Sequence, residues 1–149
     1  MSETSLLSGK VTKQSLPILQ PPTAPGSPVL KRLKLPQGEL AQFYDGEPGI
    51  QYIAYIELLP GNPRGNHYHN GKPEWIYLVT GELSLVVEDI VTKERASLTM
   101  SAGDIVKIAT GVAHTLQIVK AGQAIEFSTA KFDGTDIHRY VLIQPTTSS

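Results

Sequence analysis

The sequence predicts an all-β domain, and three observations lead to that prediction. Short apolar and β-branched runs are separated by Gly, Pro, Asn or Asp at short intervals, as strands are separated by turns. No segment keeps apolar residues at the i, i+3, i+4, i+7 spacing of a helix, so few helices are expected. The candidate strands are apolar on both faces, which favours a closed barrel or a double-layered sheet.

The first 28 residues are predicted to form a proline-rich arm, and residues 29–149 a single domain. Proline fixes φ and removes a hydrogen-bond donor, so this stretch is extended and cannot be a helix. A partly ordered tail is one interpretation, and a strand that crosses to a partner subunit is the other. The crossing strand would be anchored by Leu16, Ile18 and Leu19. The five prolines are Pro17, Pro21, Pro22, Pro25 and Pro28.

Alternation along the strands predicts which side chains share a face. Glu74 and Ile76 point to one side of their strand and Trp75 to the other, and His114 shares a face with Leu116. The predicted strands are Val29–Leu35, Glu39–Tyr44, Ile50–Leu59, Glu74–Val79, Leu83–Glu88, Ala96–Met100, Ile105–Ile108, His114–Val119, Ala124–Thr129 and Tyr140–Ile143.

Composition excludes several classes of protein. The 149 residues fit one domain, and 40% hydrophobic residues can form a core. A formal charge of −1 argues against nucleic-acid binding, which needs a clustered basic surface. The absence of Cys excludes disulfides, Fe–S clusters and thiolate zinc sites. We find no signal peptide and no apolar run long enough to cross a bilayer, so we expect a cytoplasmic protein without membrane contact.

Three of the four histidines lie near one glutamate in the sequence. On a strand, His67 and His69 project from the same face, close enough to hold one ion. The turn-forming residues 70–73 fold the next strand back, so the Glu74 carboxylate can return to these imidazoles. His114 arrives from a distant strand. Such a set of nitrogen and oxygen ligands suits one divalent transition metal, namely Fe, Mn, Ni, Co or Zn, and leaves about two positions open on an octahedral ion.

Two segments of the sequence resemble the cupin superfamily. Residues 61–81 match the first cupin motif, G-x5-H-x-H-x4-E-x6-G, at every fixed position. Residues 103–118 match the second, G-x5-P-x-G-x2-H-x3-N, except that Ala109 replaces the proline and Ile118 the asparagine. The resemblance implies a double-stranded β-helix, the jelly roll of small RmlC-like cupins. It also implies that His67, His69, Glu74 and His114 are metal ligands inside the barrel. The alternative is a cupin without metal, in which these histidines are hydrogen-bonded core groups or act in acid–base chemistry.

The sequence leaves the reaction open. Arg64, which can clamp an anionic group, and the phenols of Tyr52 and Tyr68 are the candidate catalytic residues. The segment around Arg64 is similar to small cupins that isomerise or epimerise sugars, and this chemistry is slightly favoured for a small-molecule substrate. An Fe(II) dioxygenase and a cupin that only binds a small molecule are the alternatives.

Two further expectations concern the surface. Cupin barrels commonly pair through a sheet edge, so we expect a homodimer, with Val29–Leu35 and Glu39–Tyr44 as the contact. The polar segment 131–140 contains Asp133, Asp136 and His138, which could form a second site. We expect it instead to be a loop that closes the edge of the barrel.

Overall fold

A computed structural model describes residues 2–145, and these residues form twelve strands without any helix. The all-β jelly roll predicted from the sequence is therefore confirmed. In chain order the strands are β1 (Ser2–Leu6), β2 (Val11–Ser15), β3 (Ile18–Leu19), β4 (Lys31–Leu35), β5 (Gly38–Gln42), β6 (Tyr52–Leu58), β7 (Arg64–Tyr68), β8 (Glu74–Asp89), β9 (Arg95–Ser101), β10 (Asp104–Ile108), β11 (Val112–Ser128) and β12 (His138–Arg139).

Two long strands, β8 and β11, pair with each other and take part in both layers of the barrel. The first layer has the order β1-β2-β10-β8-β11-β6, and the second has the order β9-β8-β11-β7-β12. The pair bends where Gly81, with a φ of 102°, passes Gly122. A Cβ at Gly122 would lie 1.9 Å from the carbonyl oxygen of Thr80, so only glycine allows this close approach.

These long strands differ from the prediction in one respect. The sequence predicts two strands, Glu74–Val79 and Leu83–Glu88, where the structure has the single strand β8. It likewise predicts His114–Val119 and Ala124–Thr129 where the structure has the single strand β11. Glycine between apolar runs predicts a turn, whereas here it permits a bend within the strand.

The core lies between the two layers and follows the predicted alternation. Ile76 and Leu78 are buried inside the barrel. Trp75 points outward, where its ring stacks on Phe127 with the centroids 5.8 Å apart. Both faces of β8 are therefore covered, as its apolar character on both sides predicts.

A small third sheet, of order β3-β4-β5, lies over the outer face of the first layer. The segment after β5 contributes Phe43, whose ring stacks on Tyr77 at a centroid distance of 4.1 Å, and Tyr44, which meets Trp75 edge-on. The Val29–Leu35 and Glu39–Tyr44 segments thus pack on the barrel of their own chain. The homodimer stays a prediction.

The predicted N-terminal arm contains ordered strands. β2 pairs with β10 along its whole length, and Val11 is completely buried in the core. Leu16 is buried in the outer aromatic cluster, whereas the side chain of Ile18 is largely exposed. Proline content indicated an extended chain, but it could not show that the residues preceding Pro17 extend the barrel sheet.

Two further predictions can be compared with the structure. The run Tyr140–Ile143 is not a strand, and the short strand β12 precedes it. Residues 2–145 contain no helix with the length and hydropathy that a membrane crossing requires.

We expect Glu39 to stabilise the third sheet in a pH-dependent way. Arg32 donates two hydrogen bonds to Glu39, at 2.7 and 3.0 Å, and a third to the carbonyl oxygen of Ala102 on the barrel. Hydrogen bonds from Arg32 and Lys34 lower the pKa of Glu39 to about 2. Its contribution, about 0.5–1 kcal/mol for a pair of this kind, is complete above about pH 4.5 and is lost as the pH falls towards 2.

Urea unfolding at pH 7 and pH 3.5 checks this expectation. Glu39→Gln should lower the free energy of unfolding at pH 7 and lower it less at pH 3.5. Glu57→Gln, at an exposed position of β6, is the matched control and should have little effect at either pH. A deficit of Glu39→Gln that is equal at both pH values would contradict the electrostatic explanation.

Candidate metal centre

The strand β7 and the start of β8 bring three of the four predicted ligands together. His67 lies opposite His114 in the register between β7 and β11, so these two rings face the same cavity. His69 follows the end of β7, and Glu74 is the first residue of β8. β7 approaches β11 closely at Gly65, where a Cβ would lie 2.8 Å from the carbonyl oxygen of His114.

The four predicted ligands converge inside the barrel. One potential ligand atom from each of His67, His69, Glu74 and His114 lies within 4.8 Å of the others. His69 Nε2 lies 3.0 Å from Oε1 of Glu74, and His114 Nε2 lies 3.0 Å from Oε2. His67 is partly buried, and the other three residues are buried.

Hydrogen bonds on the far side of two rings determine which nitrogen faces the cavity. His69 Nδ1 lies 2.7 Å from the carbonyl oxygen of Asp136, and His114 Nδ1 lies 3.1 Å from that of Val112. A carbonyl oxygen can only accept, so both Nδ1 atoms donate, and in the neutral ring each Nε2 presents a lone pair. Within residues 2–145, neither Nε2 atom has a hydrogen-bond partner of good geometry.

This arrangement fits a bound cation. Two buried lone pairs point at a buried carboxylate, which is unfavourable without a proton or a positive ion between them. Metal-ligating histidines typically donate the other ring N–H to a carbonyl group, as His69 and His114 do. The donor set, three imidazoles and one carboxylate, suits a divalent transition metal.

The charges around this cluster are strongly coupled. Burial disfavours the Glu74 carboxylate, but the adjacent His114 and His69 outweigh burial and hold the pKa of Glu74 far below its usual range. Burial and the neighbouring His114 lower the pKa of His67 to about 4, so this ring is neutral at pH 7. For His69, burial opposes the charge, but Glu74 and the Asp136 carbonyl more than compensate and raise the pKa.

Two charged residues beside the cluster are not among the site residues predicted from the sequence. Glu126 of β11 lines the same cavity, and burial together with Glu74 raises its pKa to about 8. The buried ammonium of Lys72 lies 3.3 Å from Glu74 Oε1 and 3.8 Å from Glu126 Oε1. Alternation along β11 predicts that Glu126 shares a face with Ala124 and Ser128, but only the structure shows that both of these residues are fully buried.

The structure brings only one of the three candidate catalytic residues to the cavity. Arg64 lies at its wall. Tyr52 lies beneath Lys72, whose Nζ is 4.4 Å from the ring centroid. Tyr68 projects from the other face of β7, and its ring packs against His138 at a centroid distance of 5.0 Å.

The cavity is small and adjoins a larger groove. Its volume is about 50 Å³, enough for an ion and about one water molecule. Arg64 also lines an open groove of about 700 Å³, together with Tyr55, Leu59 and Pro63. Among residues 2–145, no carboxylate forms an ion pair with Arg64. A substrate larger than a few atoms would extend from the cavity into this groove past Arg64.

Comparison by sequence identifies the family. Residues 36–131 match the polysaccharide biosynthesis C-terminal domain. The chain belongs to this family. The matched residues include all four of the candidate metal centre, and also Lys72 and Glu126. A search of curated proteins by sequence gives no match.

Solved structures share the fold of this polysaccharide biosynthesis C-terminal domain. A 3,4-ketoisomerase from Helicobacter canadensis superposes with a TM-score of 0.65 at 16% identity, over 74% of this chain and 86% of that one. The RmlC 3,5-epimerase from Legionella pneumophila superposes with a TM-score of 0.70 at 12% identity, over 91% of this chain and 75% of that one. The RmlC epimerase from Mycobacterium tuberculosis superposes with a TM-score of 0.72 at 12% identity, over 93% of this chain and 72% of that one. At these identities the likeness shows an RmlC-like cupin fold.

We predict that alanine substitutions of the clustered histidines remove metal binding. His67→Ala and His114→Ala should each lower the bound metal several-fold or more, because each removes one of the four predicted ligands. His138→Ala is the control, since its imidazole lies outside the barrel against Tyr68. Elemental mass spectrometry after reconstitution with Zn²⁺ measures the content. Equal metal content in all three variants would contradict the ligand assignment.

Proposed function

We propose that this chain is a metal-dependent isomerase or epimerase for a small, polar, sugar-like carbonyl compound. The observation that supports it is the pair of unpartnered Nε2 atoms of His69 and His114 facing Glu74, beside a further carboxyl group on Glu126. Four groups can hold an ion, and the fifth is available for proton transfer.

The metal would be held by His67, His69, Glu74 and His114. When bound, a divalent ion of this class supplies Lewis acidity, which polarises a carbonyl oxygen and makes the neighbouring C–H group more acidic. Zn, Fe, Mn, Co and Ni are all compatible with the donor set.

Glu126 is placed to move the proton. It lines the cavity but is outside the four-residue cluster, so its carboxylate stays available when the other four groups bind an ion. In the proposed step the ionised form of Glu126, which a pKa of about 8 leaves as the minor form at pH 7, takes the proton from the carbon next to the substrate carbonyl. Returning it to the former carbonyl carbon, with a proton moving between the oxygens, shifts the carbonyl. Epimerisation needs in addition a second donor, such as a water molecule, that protonates the opposite face of the deprotonated carbon. The Lys72 ammonium, 3.8 Å away, partly balances the charge of Glu126.

Arg64 is placed to bind an anionic part of the substrate. Arg64 lines both the cavity and the groove, and its guanidinium can hold a carboxylate or phosphate through two parallel hydrogen bonds. The reacting sugar-like part would lie inwards of Arg64, and the remainder of the substrate would occupy the groove.

The comparisons support sugar-type chemistry over the alternatives. The family is named for polysaccharide biosynthesis, and the solved structures with the same fold are described as sugar ketoisomerases and epimerases. No finding specifically favours the Fe(II) dioxygenase or the non-enzymatic binder, so both enter below as outcomes of the test.

Metal content is the first test. Protein purified without chelating resin should contain about one Zn, Mn, Co, Ni or Fe per chain by elemental mass spectrometry, before or after reconstitution. No bound metal even after reconstitution would overturn the proposal. Iron together with substrate-dependent O₂ uptake would replace it with a dioxygenase. Tight binding of a sugar nucleotide without turnover would replace it with a binding protein.

We predict that Glu126→Gln abolishes proton exchange but keeps the metal. The probe is TDP-4-keto-6-deoxyglucose in D₂O, with deuterium incorporation followed by mass spectrometry. The variant should lose at least 100-fold in the exchange rate, because the amide cannot accept the proton. Its metal content should match the wild type.

Glu82→Gln is the matched control for Glu126→Gln. Glu82 lies on β8 at a half-buried position, where its carboxylate contacts only Lys120 within the described residues. The Glu82→Gln variant should exchange deuterium into the probe at the wild-type rate. Normal exchange by Glu126→Gln would show that another group carries the proton.

A further inference from the structure

One carboxylate in the exposed segment 131–137 is turned inward. Asp136 is partly buried, whereas the other residues of this segment are exposed. The Asp136 side chain retains 16% of its accessible surface. The segment therefore has a specific anchor on the barrel, which a simple closing loop does not require.

The Asp136 carboxylate holds the turn between two of the predicted ligands. Oδ1 accepts the backbone N–H of Asn70 at 2.8 Å, and Oδ2 accepts that of Gly71, also at 2.8 Å. The contact is close, because a Cβ at Gly71 would lie 3.4 Å from Oδ2. The chain between His69 and Glu74 is thereby fixed from outside.

The backbone of the same residue contacts one ligand directly. The carbonyl oxygen of Asp136 accepts the Nδ1–H of His69 at 2.7 Å. This bond sets both the tautomer and the direction of the ring, so Nε2 faces Glu74. The two carboxylate bonds fix the position of residue 136, and with it the position of the carbonyl that orients His69.

We propose that Asp136 is a positioning residue, which orients His69 for metal binding through its carbonyl group and its carboxylate. The inference rests on the proposed metal centre. It gives the segment 131–140, predicted from the sequence to be a loop that closes the barrel edge rather than a second site, a role in the site. His138 contacts the Asp136 carboxylate at 3.1 Å from the solvent side, and the two hydrogen bonds from the Asn70 and Gly71 amides hold Asp136 without it.

Asp136→Ala is the first variant to test. It removes both hydrogen bonds to the 70–71 amides, so residue 136 and its carbonyl can move and the His69 ring can turn. Loss of an orienting partner of this kind typically weakens metal binding about 10–100-fold. Titration of Co²⁺ and Zn²⁺ into the metal-free protein measures the affinity, and the visible spectrum of the Co²⁺ form reports the ligand geometry.

Two further variants separate positioning from folding. Asp133→Ala is the matched control, because Asp133 is in the same segment but its carboxylate bonds only to Thr135 within the described residues. It should keep the wild-type affinity and spectrum. Asp136→Asn keeps one acceptor oxygen and should recover part of the affinity, and it decides the question if Asp136→Ala does not fold.

A readout without metal distinguishes this inference from the proposed function. In the metal-free protein at alkaline pH, imidazole ¹⁵N shifts of His69 should show a proton on Nδ1 in the wild type and a mixture of tautomers in the Asp136 variants. Wild-type protein that binds neither ion would overturn the metal centre itself. Wild-type binding with no change of affinity, spectrum or His69 tautomer in either Asp136 variant would overturn only the role of Asp136.

Discussion

The pairing of β8 with β11 is the constraint on which the rest of the structure depends. Both strands run through the two layers, so their shared bend at Gly81 and Gly122 closes the barrel. They also supply much of the candidate site. β8 begins with Glu74, and β11 provides His114 in one layer and Glu126 in the other. Fold and site therefore depend on the same hydrogen-bonded ladder.

The fold could be predicted because the alternation along the strands and two sequence motifs indicate it. Alternation placed Trp75 outside and Ile76 inside, as observed. The continuity of the long strands could not be predicted, since a glycine in sequence indicates a turn as readily as a bend. The position of the N-terminal residues could not be predicted either, because the pairing of β2 with β10 joins segments about 90 residues apart.

The clustering of the four predicted ligands could be predicted from their spacing, whereas their surroundings could not. Lys72 is in a turn by sequence, where an exposed lysine is the usual outcome, yet its side chain is buried over Tyr52. Asp136 reaches the site only because β12 pairs with β7. Such contacts depend on which strand edges meet in three dimensions, and this pairing cannot be inferred from a single sequence.

The distance along the chain between His67 and His114 has a consequence for folding. No segment shorter than 48 residues contains all four groups, so the complete cluster exists only once β7 has met β11, and an ion bound by all four groups would prefer the folded chain. Such binding stabilises the folded state by RT ln(1 + [M]/Kd). Metal supply would then set the folded population as well as the occupancy of the site, and a cell short of that metal would hold less folded protein.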